Sequence, residues 1–179
     1  MGSGAPVWDE AKMGGEIQSL AHSLREACQD HEEVAFVGIH QRGVPLAERI
    51  AEEMGDLRPN AFGTLDISLY RDDFDNRGTI PKLRGSDIPF SPEGMHVILF
   101  DDVLFTGRTV RAAIDALMDY GRPSCIELAV LVDRGNRELP IQPDYCGGRL
   151  ETGGSDYVRV RFREVDGEDA VYWDQSEEG

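Results

Sequence analysis

At 179 residues with a formal charge of -16, the chain is long enough to fold as one domain with a proper core, and too acidic to draw nucleic acid from a distance, which still leaves room for a local basic patch. Lys12 and Lys82 are its lysines, and every other basic side chain is an arginine. Cys28, Cys125 and Cys146 are widely spaced with no CxxC pair, which argues against a disulfide or zinc framework and for a reducing cytoplasm; no membrane-length apolar run or signal peptide is evident.

Residues 1–6 are small and Gly-rich, as expected of a flexible start. Ile17, Leu20, Ala21, Leu24, Ala27 and Cys28 recur at helical spacing and predict an amphipathic helix over 15–29. Val34 to Ile39 reads as a buried strand, ending in His40-Gln41-Arg42-Gly43 before a helix striped by Val44, Ala47, Ile50, Ala51 and Met54. A strand, an Arg-Gly turn and a helix make a candidate anion site at Gln41, Arg42 and Gly43, against the plainer reading of an ordinary turn with Arg42 exposed. Phe62 to Tyr70 alternates as a strand does, and a long polar segment from Arg71 to Pro89 follows. Structureless segments of that length in compact domains are commonly functional lids, although a disordered insertion would look alike.

The most informative stretch is Val97 to Thr109. Val97-Ile98-Leu99-Phe100 is short and wholly apolar, as an interior parallel strand is. Asp101 and Asp102 fall at its carboxyl end, where open α/β sheets bind ligands. Val103-Leu104-Phe105-Thr106-Gly107-Arg108-Thr109 then leads into a helix with backbone N–H groups, hydroxyls and a glycine, all suited to a phosphate. Two carboxylates beside a phosphate nest make chemical sense if the ligand also carries hydroxyls for them to accept, as a sugar 5-phosphate does. A solvated Asp-Asp turn is the competing reading.

That pattern of four apolar residues, two acids, two apolar residues and a Thr/Gly turn resembles the phosphoribosyl-pyrophosphate (PRPP) loop of type I phosphoribosyltransferases. The resemblance implies an α/β fold with a central, mostly parallel sheet flanked by helices, a small hood and a flexible lid. It implies that Asp101 and Asp102 hold the ribose hydroxyls, that 103–109 cradles the 5-phosphate, and that Gln41, Arg42 and Gly43 grip the pyrophosphate. Relatives usually show Thr-Arg-Gly in that last turn, so Gln41 is a departure. The lid, about 71–89, would bring Arg71, Lys82 and Arg84 to the diphosphate. Magnesium would be bound mainly by PRPP oxygens and water near the two aspartates, with no direct protein ligand.

Val110, Ala113, Ile114 and Leu117 stripe the helix after the loop, with Gly121 and Pro123 beyond its end. Ile126 to Val132 is another apolar strand, delivering Asp133-Arg134-Gly135 to the same edge. Tyr70-Arg71-Asp72-Asp73, Gly85 to Pro89, Gly121 to Ser124, Val132 to Gly135 and Arg137-Glu138-Leu139-Pro140 together resemble the PyrR-type family, pyrimidine-operon regulators that are also uracil phosphoribosyltransferases. The expectation is one domain over 1–179 with a hood at about 134–165 joined by the N-terminal segment. The implied reaction takes PRPP and uracil to UMP and pyrophosphate, with Asp133 and Arg134 framing the base in a homodimer or larger homo-oligomer. A purine phosphoribosyltransferase, or an RNA-binding attenuator that keeps the PRPP site as a nucleotide sensor, remain alternatives; a PRPP synthase would need an ATP site of which no trace is seen.

Leader RNA of the pyrimidine operon is the further partner implied by the resemblance, through His22, Arg137 and Arg149. Relatives show Thr-Arg where this chain has Gln18 and Ser19, Arg where it has Gln142, Lys where it has Gly148, and His where it has Asn136. The basic surface is therefore expected to be depleted and RNA binding weakened. Tyr157 to Phe162 and Ala170 to Trp173 read as late strands, and Trp8 and Trp173 as packing residues. His31 and His96 have no partner that the sequence suggests.

Overall fold

The computed structural model of the protein describes residues 4–68 and 85–175. Strands β1 (Val34–Ile39), β2 (Ala61–Leu65), β3 (His96–Leu104), β4 (Cys125–Asp133) and β5 (Tyr145–Arg149) form a five-stranded sheet in the order β2-β1-β3-β4-β5. Every pairing within it is parallel. Helices α1 (Glu10–Cys28), α2 (Gly43–Glu53) and α3 (Arg108–Met118) flank it, and β6 (Tyr157–Arg161) and β7 (Ala170–Asp174) form an antiparallel hairpin joined by the short helix α4 (Arg163–Asp166).

The unbroken apolar runs of β1 and β3 follow from burial of both sheet faces. Val34, Phe36, Ile98, Phe100, Ala129 and Leu131 point to one side, into a core shared with α1, α2 and the hairpin. Ala35, Val37, Ile39, Val97, Leu99 and Val130 point to the other, against α3, Ile88 and Phe90. Phe36 and Phe100 meet with ring centroids 4.7 Å apart. Burying either ring contributes about 1.5–3 kcal/mol, so the central strands anchor the site built at their ends.

Several expected boundaries shift. Helix α1 begins at Glu10, five residues before the predicted start, because Asp9 caps it by accepting from the Lys12 N–H at 2.9 Å. Gly14 and Gly15, which suggest a break, sit within the helix with open space where a Cβ would be. β2 ends at Leu65, where Asp66 takes over the backbone by accepting from the Ser68 N–H; residues 69 and 70 of the predicted strand lie outside the described residues. β3 continues through Asp101 and Asp102 to Leu104, so Val103 and Leu104 belong to a strand paired with Val132 and Asp133 rather than to a loop. Within the expected hood, β5 adds to the sheet edge beside β4. Trp8 is buried and bridges to Val171 of β7, fastening the N-terminal segment to the hairpin.

Candidate active site

Parallel strands share a carboxyl edge, so β1, β3 and β4 deliver Arg42, Asp101-Asp102 and Asp133-Arg134 to one rim. Asp101 is buried and its Oδ1 accepts from the Asp102 N–H at 3.0 Å. Enclosure pushes the Asp102 carboxyl up; a hydrogen bond with Asp101, the charge of Arg42 and nearby backbone N–H groups oppose it without cancelling it.

From Leu104 the chain turns into α3 through Gly107, whose φ of 93° lies in the left-handed region where only glycine is unstrained. A Cβ there would also sit 3.3 Å from Ile141. The Thr106 carbonyl accepts from Glu138 and Leu139 N–H at 3.0 Å each, and the Thr106 hydroxyl accepts from the Arg108 N–H at 3.3 Å. The turn is thus held from behind, and a cavity of about 290 Å³ opens in front of it, lined by Asp101, residues 103–110 and Glu138. Carboxylate, hydroxyls and a helix N-terminus face one space, which suits an anion carrying hydroxyl groups.

At the β1 turn the His40–Gln41 peptide is cis, and Arg42 caps α2. Gly43 lies so close to β3 that a Cβ would be 2.1 Å from the Phe100 carbonyl oxygen, which excludes any other residue. Arg42 donates through Nε and Nη2 to Asp166 of α4 at 3.0 and 2.7 Å, which holds the Asp166 carboxyl below the usual range. Beside this pair a second cavity of about 450 Å³ adjoins Asp102 and the Tyr157–Arg161 strand.

At the end of β4, Asp133 Oδ1 accepts from the Gly135 N–H at 3.0 Å and from Arg137 Nη2 at 2.7 Å. Arg137 further donates to the carbonyls of Ile141, Phe105 and Gly135. Arg134 lies flat on Phe105, its guanidinium carbon 3.9 Å from the ring centroid, and donates to Thr152 and the Gly153 carbonyl. One ring from the β3 turn and one cation from the β4 end therefore form a rigid wall.

A family model described as the phosphoribosyl transferase domain matches residues 9–161. The chain is 47% identical over 169 residues to the "Bifunctional protein PyrR" of Pelotomaculum thermopropionicum, covering 93% of each. It is 48% identical over 173 residues to that of Chloroflexus aurantiacus, covering 96% of this chain and 95% of the relative. The chain belongs to the PyrR family of phosphoribosyltransferases. The hypoxanthine phosphoribosyltransferase of Trypanosoma cruzi superposes with a TM-score of 0.70 at 14% identity, covering 97% of this chain and 98% of that one. The corresponding enzyme of Staphylococcus aureus gives 0.67 at 16%, covering 99% and 98%. At such identities these two carry the fold alone: the type I phosphoribosyltransferase sheet and its flanking helices.

In this PyrR-family chain, the expected site residues Asp101, Asp102, 103–109, Gln41, Arg42, Gly43, Asp133 and Arg134 converge on the one rim. Arg71, Lys82 and Arg84 of the expected lid lie outside the described residues. Sequence reasoning missed Glu138, which pairs with Arg108 at 2.6 Å across the cavity, and Asp166, which holds Arg42. Neither has a signal in its own neighbourhood; both act across more than 25 residues of chain. The three RNA candidates separate. His22 is exposed beside Glu26, Arg149 is exposed, and Arg137 is turned inward with its donors on Asp133 and the carbonyls of Phe105, Gly135 and Ile141. Gly148 faces the Trp8 ring, where a Cβ would stand 2.6 Å away, so packing accounts for the glycine there.

Proposed function

We propose that the protein transfers the 5-phosphoribosyl group of PRPP to uracil, forming UMP and pyrophosphate. The single observation that carries this reading is the cavity where the end of β3 and the Thr106-Gly107-Arg108 turn meet, with Asp101 on its wall. The bond from ribose C1 to the pyrophosphate oxygen breaks while a ring nitrogen of uracil bonds to C1 and gives up its proton. Asp101 and Asp102 accept from the ribose 2- and 3-hydroxyls and lend negative potential to the oxocarbenium-like carbon. The backbone N–H groups of 106–109 take the 5-phosphate, and the turn at Gln41–Gly43 receives the departing pyrophosphate. Its approach asks Arg42 to exchange Asp166 for phosphate oxygens, a trade of one charge-assisted contact for another.

The Asp101–Asp102 pair offers hard carboxylate oxygens, and no third His, Cys, Asp or Glu joins them among the described residues. That fits magnesium, which takes most of its ligands from phosphates and water and, when bound, neutralises the diphosphate. Asp133, held by Arg137, and the Arg134–Phe105 wall frame the base. The purine-enzyme neighbours share the fold and do not choose the base; the uracil reading rests on the resemblance of residues 132–140 to the PyrR type. Incubation with PRPP, magnesium and labelled uracil, cytosine, hypoxanthine or guanine in parallel tests this, with product from uracil alone expected. Product from a purine and none from uracil would refute the assignment.

The bifunctional name of the relatives also raises leader-RNA regulation. The inward Arg137, the Gly148 contact with Trp8 and the acidic background favour an RNA surface reduced to His22 and Arg149. Weak or absent binding of pyrimidine-operon leader RNA is expected in filter assays at moderate salt, with or without UMP. Nanomolar, nucleotide-stimulated binding would overturn that reading.

A further inference from the structure

We propose that the amino-terminal edge of the sheet carries a site for a divalent transition ion of the zinc type, held by His96, Cys125 and Glu127. His96 and Cys125 are register partners at the first positions of β3 and β4, and Glu127 follows Cys125 on the same face by the two-residue period of a strand. An imidazole nitrogen, a thiol sulfur and a carboxylate oxygen come within 4.8 Å of one another. Tetrahedral zinc sets its ligand atoms roughly 3.5 Å apart, so small side-chain rotations close the set without moving either strand. Mixed nitrogen, sulfur and oxygen donors select zinc-like ions over magnesium or calcium.

The surroundings bear the marks of a cation site. His96 is 5% exposed, and its Nε2 meets Glu127 Oε2 at 3.0 Å. Its Nδ1 is buried with no hydrogen-bond partner, which leaves the Glu127 contact and the neighbouring His31 ring to hold the imidazole. An ion on Nε2 would replace the Glu127 contact and share that carboxylate with the Tyr145 hydroxyl. Tyr145 donates its hydroxyl to Glu127 Oε2 at 2.9 Å, as the outer partners of metal-bound carboxylates do. The His31 ring, at the exit of α1, packs beside His96 with ring centroids 3.9 Å apart, outside the set of three ligands. A cavity of about 270 Å³ lined by His31, Glu32, Glu33, Gly94, His96 and Ser124 reaches the His96 side of the cluster, giving a cation an acidic approach. A plain structural His–Glu hydrogen bond does not explain the thiol placed in register beside it.

The site lies about 16 Å along β3 from Asp101, at the opposite end of the strand. A bound ion ties β3 to β4 and takes no part in phosphoribosyl transfer. The test uses the full chain, stripped with a chelator and dialysed, then titrated with Zn²⁺ alone by calorimetry and with Co²⁺ alone by absorption. One equivalent of either ion is expected, with a thiolate-to-cobalt charge-transfer band. Cys125→Ser, at an exposed position, removes the band; Glu127→Gln weakens binding roughly tenfold or more. Transfer by Cys125→Ser at saturating PRPP and magnesium stays at the wild-type rate. No saturable uptake, or uptake whose spectrum Cys125→Ser leaves unchanged, would overturn the proposal.

Discussion

The β3–α3 turn and the segment after β4 stand side by side on the rim, and they use their polar groups in opposite ways. In the first, the Thr106 carbonyl is held from behind while the helix N-terminus faces an open cavity. In the second, Asp133 and Arg137 close on each other, and Arg134 and Arg137 donate to backbone carbonyls. The contrast teaches that a cation's presence in the sequence does not make it available. With 34 acidic residues against 18 basic ones, an arginine on this surface usually meets a carboxylate before it meets a ligand. Backbone N–H groups at a helix start cannot be neutralised in that way, so the proposed phosphate site keeps its donors in an acidic background that consumes side-chain cations.

The largest effect should come from breaking the closed region. Arg137→Ala leaves the buried Asp133 with the Gly135 N–H and the more distant, exposed Arg149 in place of its close partner, and loss of one member of a buried pair costs up to about 3–5 kcal/mol. Urea denaturation should record that loss, with uracil use falling alongside it; wild-type stability with only RNA binding changed would place Arg137 on the surface after all. In the open region, Asp102→Asn should lower kcat/KM for PRPP about ten- to hundredfold, the worth of one charge-assisted contact, with little loss of stability. An unchanged rate at limiting PRPP would make the carboxylate structural. Smaller still is Asp166→Asn, which releases Arg42 from its clamp. The partly exposed pair is worth no more than about 1 kcal/mol in stability, and the freed guanidinium should tighten PRPP binding severalfold in steady-state kinetics. A rise in KM would show instead that Asp166 positions Arg42 for its ligand.

Acid sharpens the comparison because the two sides carry opposite signs. Arg42 holds Asp166 below the usual carboxylate range, and Arg49 does the same to Glu164. For such groups the unfolded chain takes protons first, so the stability they contribute is full above about pH 4 and drains as pH falls toward the folded values. Asp102, raised by burial, works the other way: its protonation relieves a cost. Fluorescence of Trp173, on β7, should therefore report loosening of the hairpin only below about pH 4, and Arg49→Gln should flatten that transition. Loss of the hairpin signal near pH 6 would contradict the clamp.

Local chemistry sufficed for much of this. Apolar runs set the interior strands, the Asp-Asp and Thr-Gly sequence marked the carboxyl end of β3 and the turn into α3, and the alternation of Val158 and Val160 with arginines set β6, because each depends on neighbours a few residues apart. The sequence misjudged the start of α1, where a cap and tertiary burial of Met13 outweigh Gly14 and Gly15. It also missed β5, whose Cys-Gly-Gly core has little strand propensity of its own. There, glycine lets the chain lie against its neighbours: a Cβ on Gly147 would stand 2.6 Å from the Leu131 carbonyl oxygen. Partnerships were the part only the tertiary structure could decide. Asp166 on Arg42, Glu138 on Arg108 and Cys125 beside His96 join residues 124, 30 and 29 positions apart. The widely spaced cysteines carry no metal signature as a linear pattern. Strand register sets Cys125 against His96, since a ligand set needs proximity in space, which parallel pairing supplies and sequence spacing does not record.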